Sequence, residues 1–558
     1  MTRTGGRLLI DSLVHNGVDF ASCVPGESFL AVLDAIYEVN EGRSEPVFRL
    51  VTARHEAAAA NMAEAVGKLT SSPAVCFVTR GPGAMHASIA LHTAFQDGTP
   101  LVLVVGQVAT TMLGREAFQE MDYSAVFGST AKHVVQVTDA DRIGEHVARA
   151  LYLAMAGRPG PVVIVVPEDV LTSATDRDPV SVPAISHPEP SRSDLESLVA
   201  RLENAKRPLL VVGGPSWAAG VGEDITAFAE ANGIPIAAAF RWQDSVDNRS
   251  DNYVGYLGLG CSPALRARAR EADVVVAFGP RLDDPTTDGF ILLDAPTSER
   301  ALVVVSEDAA DAVTNTIPNE VITTSVAALA TELRRRTLRP SSFRTEWTRA
   351  LRSEFVAYTQ PTDTPGDVDL ARIIKHVRSV TADDTIVTTG AGNYTVWVQR
   401  FFEFRQFGTQ LAPRNGAMGY GYPAAIGAAA VRSGRPVIAF AGDGCILMSG
   451  SELATAVREQ LPVILIVVNN GMYGTIRMHQ ENQYPGRVIA TALTNPDFTE
   501  YGRSFGAQAH LVQRTDQFEA AFAAALAYSG PSLIELRTDP LQLTPDRRLA
   551  HTSTGSAE

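Results

Sequence analysis

The stretch "AFAGDGCILMSGSELATAVREQLPVILIVVNNGMYG", from Ala439 to Gly474, joins two apolar runs through a helical segment. Asp443 follows the first run between two glycines, and Asn470 follows the second run. Continuous apolar runs separated by a helix are typical of parallel strands that are buried on both faces. In such a βαβ unit the carboxyl ends of both strands lie at one edge of the sheet, so the pattern predicts that Asp443 and Asn470 converge.

The polar groups at this edge form a set of hard oxygen donors. A carboxylate, an amide oxygen and a backbone carbonyl of the following "GMYG" loop suit Mg²⁺, which also keeps phosphate oxygens and water. The flanking glycines let the backbone turn sharply and approach a ligand closely. Asp443 or Asn470 alone is more simply explained as a helix cap or a turn residue. The pair at this separation, with glycine beside each, favours a metal and diphosphate site.

Three blocks of alternating apolar runs and helical patterns extend this interpretation to the whole chain. They predict parallel-sheet α/β domains at residues 1–175, 192–335 and 366–540, and a C-terminal tail at 541–558. A linker rich in Pro, Ser and Asp precedes the second block, and a polar connector precedes the third. A strand followed by a glycine turn occurs in the first and third blocks, which hints at related folds without establishing a repeat.

Composition excludes several classes of function. The chain has 47 basic and 62 acidic residues and a net charge of −15, which disfavours binding to nucleic acid or to an anionic membrane. No apolar run approaches the roughly 20 residues that a membrane span needs, and Asp11 interrupts the segment where a signal peptide would be apolar. The four cysteines form no CxxC pair, so we expect a reducing, cytoplasmic location.

A series of motifs in this order resembles the acetolactate synthase (acetohydroxyacid synthase) large-subunit group of thiamine diphosphate enzymes. The motifs are "RHEAAAANMAEAVGK", "TRGPGAMHAS", "AFQE", "AKH", "GRPGPVVIVVPED", "GPRLDD", "NGAMGYGYPAAIGA" and the opening stretch. The resemblance covers nearly the whole chain and implies a pyrimidine-binding, a central and a diphosphate-binding domain. It also implies thiamine diphosphate and Mg²⁺ as cofactors, and a homodimer or homotetramer with active sites at the subunit interface.

The resemblance assigns roles to individual positions in the cofactor site. The implied metal ligands are Asp443, Asn470 and the backbone carbonyl of Met472. Met418 would be the apolar wedge beneath the cofactor, and Glu56 would share a proton with the pyrimidine nitrogen. The full set of implied cofactor-binding residues is Pro25, Glu56, Gly392, Asn393, Met418, Gly442, Asp443, Gly444, Asn470, Met472, Tyr473 and Gly474.

A second set of positions is implied to act on the substrates alongside Glu56. Gln119 matches a residue that hydrogen-bonds the reacting carbonyl, and Phe118 would form a wall of the pocket. Lys132 matches a lysine at the substrate entrance. His479 occupies a position where the biosynthetic synthases have a tryptophan that shapes the acceptor pocket, and this departure allows a more polar or anionic acceptor.

The implied activity is decarboxylation of a pyruvate-like 2-oxo acid, with ligation of the resulting enamine to a second carbonyl compound. An alternative with the same cofactor is a C–C lyase or decarboxylase of the 2-hydroxyacyl-CoA lyase or benzaldehyde lyase type. A NAD-dependent dehydrogenase is disfavoured, because no clear GxGxxG follows a first strand with an acidic residue about 20 positions later.

The central block leaves one cofactor open. Synthases of the resembled group bind FAD there with an arginine in a segment like "GPRLDD". Arg281 matches this arginine, whereas Leu282 and Pro285 depart from the usual residues. FAD is therefore possible but not favoured.

Overall fold

The computed structural model describes residues 2–293 and 300–549 of the chain. It contains three six-stranded sheets, each parallel throughout and each flanked by helices. The predicted fold class, three parallel-sheet α/β domains, is confirmed. Among the described helices, none combines the length and the apolar character that crossing a membrane would require.

The first domain carries its sheet in the order β3-β2-β4-β5-β7-β6. Its strands are β1 (Arg3–Thr4), β2 (Phe20–Cys23), β3 (Arg49–Thr52), β4 (Ala74–Val78), β5 (Leu101–Gln107), β6 (His133–Gln136), β7 (Pro161–Pro167) and β8 (Ala174–Thr175). Its helices are α1 (Gly5–His15), α2 (Leu30–Asn40), α3 (Glu56–Thr70), α4 (Pro82–Asp97), α5 (Tyr123–Phe127), α6 (Ile143–Met155) and α7 (Glu168–Thr172). Strands β1 and β8 form a separate antiparallel pair.

The central domain has a different strand order, β11-β10-β9-β12-β13-β14. Its strands are β9 (Pro208–Val212), β10 (Ile236–Ala238), β11 (Tyr253–Tyr256), β12 (Val274–Phe278), β13 (Ala301–Ser306) and β14 (Glu320–Thr323). Its helices are α8 (Arg192–Asn204), α9 (Val221–Asn232), α10 (Pro263–Glu271), α11 (Asp284–Thr287), α12 (Ala309–Ala312), α13 (Val326–Arg334) and α14 (Ser342–Tyr358).

The third domain carries its sheet in the order β16-β15-β17-β18-β20-β19. Its strands are β15 (Ile386–Thr389), β16 (Gln410–Leu411), β17 (Val437–Gly442), β18 (Val463–Asn469), β19 (Gln508–Val512), β20 (Ser532–Arg537), β21 (Gln542–Thr544) and β22 (Arg547–Arg548). Its helices are α15 (Leu370–Val380), α16 (Tyr394–Phe401), α17 (Gly421–Val431), α18 (Asp443–Ile446), α19 (Leu453–Arg458), α20 (Gly474–Gln483), α21 (Phe498–Ser504) and α22 (Phe518–Ala527).

Each of the three sheets lies within one of the residue ranges predicted for the domains. The exact first and last residues of the domains stay predictions. Two segments outside those sheets are more ordered than the sequence indicated. The polar connector contains α14, which packs on the central domain through Trp347, whose indole N–H donates to the Pro208 carbonyl at 2.9 Å. The first part of the predicted tail forms the antiparallel hairpin β21–β22, and residues 550–558 lie outside the described residues.

The first and third domains share one topology. Numbered within each sheet, both follow the order 2-1-3-4-6-5, whereas the central sheet follows 3-2-1-4-5-6. The similarity that the glycine turns hinted at therefore extends to the whole sheet. In parallel sheets of this kind the ligand crevice lies at the carboxyl ends of the strands, so each of the two related domains offers one such edge.

Two alanine-rich helices join these related domains. Helix α3 is buried on nearly all sides, between its own sheet and α17 of the third domain. The contact is close enough that a Cβ atom at Gly427 would lie 2.6 Å from the Met62 carbonyl oxygen. Small side chains on both helices allow this approach, because a larger residue at the contact would force the backbones apart.

A buried polar cluster lies at the same junction. Glu64 on α3 accepts hydrogen bonds from the hydroxyls of Tyr420 (2.6 Å) and Thr99 (2.7 Å). Lys68, one turn later, pairs with Asp97 at 2.6 Å. Burial raises the pKa of Glu64 to about 7, a shift that the positive charge of Lys68 partly offsets. A carboxyl group in such a place binds a proton more tightly than it does in the unfolded chain.

Replacing this carboxyl group changes the pH dependence of stability. Between about pH 4.5 and pH 7 folded Glu64 keeps a proton that the unfolded chain has released, so the free energy of unfolding falls as the pH rises, by up to about 1.4 kcal/mol per pH unit. We expect Glu64→Gln to lose less thermal stability than the wild type between about pH 5 and pH 7. An unchanged pH dependence in Glu64→Gln, relative to the surface control Glu45→Gln, would contradict this assignment.

Candidate active site

A cavity of about 210 Å³ lies at the carboxyl edge of the third sheet. Strands β17 and β18 are adjacent and parallel, with Gly442 opposite Val468, so both strands end at this edge. Asp443 and Asn470 line the same cavity, as the opening stretch predicted for its two strand ends. The cavity therefore contains both a carboxylate and an amide that belong to neighbouring strand ends.

Asp443 is the buried carboxylate of this site. Its Oδ2 accepts hydrogen bonds from the backbone N–H of Gly471 (2.9 Å) and from Nδ2 of Asn495 (2.8 Å). Burial raises its pKa, although these hydrogen bonds oppose the shift. A buried carboxylate in this setting gains from a neighbouring cation, because the cation compensates for the hydration that burial has removed.

The loop after β18 turns the two asparagines in different directions. Asn469 donates through Nδ2 to Oε1 of Glu535 on β20 at 2.8 Å, which makes it part of the sheet edge. Asn470 lines the cavity, and its Oδ1 accepts from the backbone N–H of Met472 at 3.2 Å. Gly471, which follows the two asparagines, has φ +69°, a conformation that favours glycine.

Gly444 has a steric reason to be glycine. A Cβ atom there would lie 2.5 Å from Cε1 of Tyr473, so the ring of Tyr473 occupies the space where a side chain would be. The glycine thus lets the loop after β18 fold closely onto the segment after β17. This contact keeps Asp443, Asn470 and the backbone of Met472 around one cavity.

The other end of the cavity suits an anion. Helix α20 begins at Gly474 without a side-chain cap, and Gly474, Thr475 and Ile476 of its first turn line the cavity. Asn393 also lines the cavity: its Oδ1 accepts from the Thr475 hydroxyl at 2.9 Å, and its buried Nδ2 has no hydrogen-bond partner within residues 2–293 and 300–549. A diphosphate would satisfy both this donor and the helix N-terminus.

Apolar residues form the remaining walls. Met418 lies beside the cavity and packs partly buried against the core of the third domain. Trp397 on α16 and Leu543 on the β21–β22 hairpin complete this side. The donor set and the apolar walls together fit a ligand with a diphosphate, a bound cation and flat rings.

A second group of predicted residues lies at the carboxyl edge of the first sheet. Glu56 is the first residue of α3, and its Oε2 lies 2.8 Å from Nδ1 of His86 on α4. Pro25 follows β2 at the same edge. Gln119 has φ +66° and lies against Gly81, where a Cβ atom would be 2.8 Å from the Gln119 Cβ. Non-glycine residues held in this conformation occur preferentially at functional sites.

Arg80 ties the adjacent loop to this edge. Its guanidinium donates to Oε1 of Glu27 (2.9 Å), to Oε2 of Glu168 (3.3 Å) and to the Phe118 carbonyl (3.4 Å). The Phe118 side chain itself is 76% exposed, so within one chain it packs against little. Its predicted role as a pocket wall stays a prediction.

Two predicted substrate residues lie apart from these groups in the single chain. Lys132 precedes β6 and is therefore at the amino edge of the first sheet, opposite to Glu56. Its ammonium donates to the carbonyls of Ala156 and Arg158, both at 2.7 Å, and burial lowers its pKa to about 8. His479 lies on the exposed face of α20, outside the residues that line the cavity. Neither predicted role is tested by this placement.

The cofactor residues fall into two separate half-sites. The cavity in the third domain includes all the predicted cofactor residues between Gly392 and Gly474, but neither Glu56 nor Pro25 lines it. These two residues lie at the other carboxyl edge, in the first domain. One chain by itself therefore does not bring Glu56 to the cavity that contains Asp443.

Several site residues carried no recognisable signal in the sequence. Asn495 donates a hydrogen bond to Asp443 and lies in an irregular segment 52 positions after it in the chain. Gln542 and Leu543 reach the cavity only because the predicted tail folds back as a hairpin. Thr475 belongs to the helix that follows the motif, and only its contact with Asn393 reveals its place.

Three family models match the chain in order. They describe the N-terminal thiamine pyrophosphate-binding domain (residues 3–126), the central domain (195–333) and the C-terminal thiamine pyrophosphate-binding domain (390–536) of thiamine pyrophosphate enzymes. The N-terminal match includes Glu56, and the C-terminal match includes Asp443 and Asn470. Both half-sites thus lie within domains described as binding thiamine pyrophosphate.

Curated relatives match over most of their length. The acetolactate synthase large subunit of Parasynechococcus marenigrum is 32% identical over 554 residues, covering 96% of this chain and 87% of that protein. The isozyme 2 large subunit of Escherichia coli is 29% identical over 543 residues, covering 96% of each chain. The mitochondrial catalytic subunit of Saccharomyces cerevisiae is 29% identical over 569 residues, covering 96% of this chain and 81% of that protein.

The resemblance found in the sequence motifs is therefore confirmed by matches that span the chain. The enzyme class follows from the same matches: a thiamine diphosphate-dependent carboligase or decarboxylase. The chain belongs to the acetolactate synthase large-subunit group of thiamine diphosphate enzymes.

Proposed function

We propose that this enzyme decarboxylates a pyruvate-like 2-oxo acid and joins the remaining fragment to a second carbonyl compound, as an acetolactate synthase does. The observation that carries the proposal is the cavity at the ends of β17 and β18, in which Asp443, Asn470 and Met472 lie together. When bound, thiamine diphosphate supplies a nucleophilic carbon and takes up the electron pair that decarboxylation releases.

We propose that Mg²⁺ joins the protein to the diphosphate in this cavity. The Asp443 carboxylate, the Asn470 amide oxygen and the Met472 carbonyl are hard oxygen ligands of the kind that Mg²⁺ accepts alongside phosphate oxygens and water. The N-terminus of α20 and Nδ2 of Asn393 would bind the diphosphate oxygens. Met418 would support the rings of the cofactor from below.

Glu56 is the proposed activating carboxylate. It would exchange a proton with the ring nitrogen of the cofactor's aminopyrimidine, a role that needs a carboxyl group aimed at the cofactor and shielded from bulk water. Its side chain is only 13% exposed at the first turn of a buried helix. Gln119, on the neighbouring loop, would donate its amide hydrogen to the oxygen of the reacting carbonyl.

The separation of the two half-sites supports a homodimer or a larger homo-oligomer. Glu56 does not line the cavity of its own chain, so a second copy would supply it. Exposed apolar side chains lie beside both half-sites: Met85 and Ile89 on α4, and Leu447 and Met448 directly after α18. Large apolar groups at such places are typical of surfaces that a partner covers.

The choice of acceptor rests on the polar character of α20. Arg477 is buried and pairs with Glu481 at 2.6 Å, while His479 faces outward from the same helix. The replacement of the tryptophan of the biosynthetic synthases by His479 would allow an acceptor more polar than the aliphatic 2-oxo acids. We retain a cytoplasmic location as part of the proposal, since all four cysteines are free thiols.

We also propose that the central domain works without FAD. Its strand order is that of dinucleotide-binding folds, whose crevice opens between β9 and β12. Here the loops after these strands touch: a Cβ atom at Gly214 would lie 2.1 Å from the Gly279 carbonyl oxygen. Trp217 and Trp242 are buried beside these loops, at 1% and 5% exposure. These contacts support a crevice that is filled by the protein itself.

Arg281 supports the same conclusion. Its Nε lies 3.4 Å from Oδ1 of Asp311, which Arg158 of the first domain also approaches at 3.4 Å. The space beside Arg281 and Asp311 measures about 10 Å³, whereas sites for ligands of dinucleotide size need several hundred Å³, of the order of 300–1,000 Å³. Because Arg158 reaches Asp311 from the first domain, this region would serve a contact between domains in place of a flavin site.

The proposed activity is tested by adding cofactors and substrate to the apoenzyme. We expect CO₂ release from pyruvate only when thiamine diphosphate and Mg²⁺ are both present, with a ligated product visible by mass spectrometry.

Asp443→Ala should weaken Mg²⁺-dependent cofactor binding by at least about 10-fold, because it removes the charged ligand. The surface variant Asp516→Ala serves as the control. Unchanged affinity in Asp443→Ala would refute the metal site, and CO₂ release without ligation would favour a simple decarboxylase.

The shared active site is tested by complementation between two inactive chains. Glu56→Gln and Asp443→Ala should each be inactive alone. A mixed dimer of the two variants would contain one intact site and one site with both substitutions. We therefore expect activity to reappear when the two chains carry different tags, are co-expressed and are purified through both tags. Absence of any recovery in a verified mixed dimer would mean that each site is built from a single chain.

The proposal on the central domain is tested by absorbance. The protein purified without added flavin should show no flavin band, and titrated FAD should change neither the tryptophan fluorescence nor the melting temperature. Pyruvate turnover should be the same with and without FAD. Stoichiometric flavin in the purified protein, or a melting temperature that rises with FAD, would overturn it.

A further inference from the structure

We infer that His86 is a positioning residue that holds Glu56 in one orientation for the reaction. The inference rests on the proposed role of Glu56 as the activating carboxylate. The observation behind it is a direct contact of 2.8 Å between Nδ1 of His86 and Oε2 of Glu56. His86 lies in the second turn of α4, and Glu56 is the first residue of α3, so two helix starts face each other across this contact.

The contact leaves the two oxygens of Glu56 in different environments. Oε2 is occupied by His86, whereas Oε1 has no hydrogen-bond partner in the part of the chain that the structure describes. Oε1 lies beside Gly83, where a Cβ atom would be 3.4 Å from it. Since His86 selects the rotation of the carboxyl group, Oε1 is the oxygen left to meet the aminopyrimidine of a cofactor bound by the second chain.

The backbone beneath Glu56 is fixed by a residue of the third domain. The buried carboxylate of Glu452 accepts hydrogen bonds from the backbone N–H groups of Arg54 (3.1 Å) and His55 (3.1 Å). Burial raises the pKa of Glu452, and these hydrogen bonds oppose the shift. Glu452 therefore fixes the backbone just before α3 through hydrogen bonds. His86 contacts the side chain of Glu56, the first residue of the helix.

His55 restricts the ring of His86. The two imidazoles stack with their centroids 4.5 Å apart and their planes at 26°. Nδ1 of His55 accepts from the backbone N–H of Ala57 at 3.1 Å, so this ring is held by the helix start. His86 thus packs on a fixed surface while it contacts Glu56, which is the arrangement expected of a residue that orients a neighbour.

The same three side chains, His55, Glu56 and His86, place donor atoms within 4.8 Å of one another. Stacked rings are poorly arranged to direct nitrogens at one ion, because metal-bound imidazoles radiate from the metal at about 2.0–2.1 Å. The hydrogen bond already present between His86 and Glu56 explains the cluster more simply. We therefore assign the cluster to positioning of the carboxyl group.

The test compares a conservative and a disruptive substitution with a matched control. Gln at position 86 can still donate a hydrogen bond to Glu56, whereas Leu cannot. We expect His86→Gln to keep kcat within a few-fold of the wild type, and His86→Leu to lower kcat by about 10- to 100-fold with KM and cofactor affinity little changed, since misplacing a reacting group acts on the chemical step. The control is His187→Leu, which breaks a pair at the same distance, His187–Glu307 at 2.8 Å, between the linker and the central domain.

A second measurement needs no cofactor and no turnover. In apoprotein labelled with ¹⁵N-histidine, the ring signals of His86, assigned from their loss in His86→Leu, should shift in Glu56→Gln and stay unchanged in Glu307→Gln. This shift shows that the contact exists in solution, whereas the kcat of His86→Leu shows whether the contact acts on the reaction. Unshifted His86 signals, or full kcat in His86→Leu, would overturn the inference.

The outcome also separates this inference from the proposed function. If Glu56→Gln itself retains full activity, the proposed role of Glu56 is wrong, and the positioning role falls with it. If Glu56→Gln is inactive but His86→Leu is fully active, the proposed function stands and only the role of His86 is refuted. Low kcat in both His86→Gln and His86→Leu would mean that the imidazole itself is required, which contradicts a role limited to positioning.

Discussion

The parallel pairing of β17 with β18 is the constraint on which the site depends. Gly442 lies opposite Val468 in the register of these strands, so the residues that follow them, Asp443 and Asn470, reach the same cavity. A slip of one residue in this pairing would reverse the alternation of side chains along a strand. Both strands are buried on both faces, so such a slip would misplace large and small side chains in a close-packed core. The geometry of the polar groups therefore follows from the packing of apolar ones.

The same logic explains how the two half-sites relate. The first and third domains have one strand order and pack through α3 and α17, whose alanines and glycines allow a very close approach. This packing buries Glu64 and brings Glu452 under the start of α3, where it binds the backbone next to Glu56. The third domain therefore positions Glu56 of its own chain, although the cavity of that domain does not include Glu56. A dimer would combine these effects, since each chain would prepare a carboxylate for the cavity of its partner.

We propose that the central domain keeps the topology of a dinucleotide-binding sheet without the space that such a ligand needs. The strand order of a dinucleotide-binding sheet is present, but the loops after β9 and β12 are in contact and two buried tryptophans lie beside them. Asp311 pairs with Arg281 of the same domain and with Arg158 of the first domain, so one of the ion pairs in this region crosses between domains. Topology alone is therefore a weak guide to ligand binding, because the crevice depends on which side chains project into it.

The sequence by itself determined the number and type of the domains, the two strands around Asp443 and Asn470, and the family. These features depend on local patterns: apolar runs of strand length, glycine turns, and motifs that are contiguous in the chain. It also placed Glu56 at the start of a buried helix, because the alanines after it leave no polar face. Such inferences need only the neighbours along the chain.

Only the tertiary structure shows which segments that are far apart in the chain contact each other. It showed that Asn495 holds Asp443, that the predicted tail forms a hairpin beside the cavity, and that Lys132 lies at the opposite edge of the sheet from Glu56. It also revealed the contact between His86 and Glu56 and the close approach of the loops after β9 and β12 in the central domain. The physical reason is that these features depend on packing between residues far apart in the chain, and the periodicity of a single segment carries no information about its distant partners.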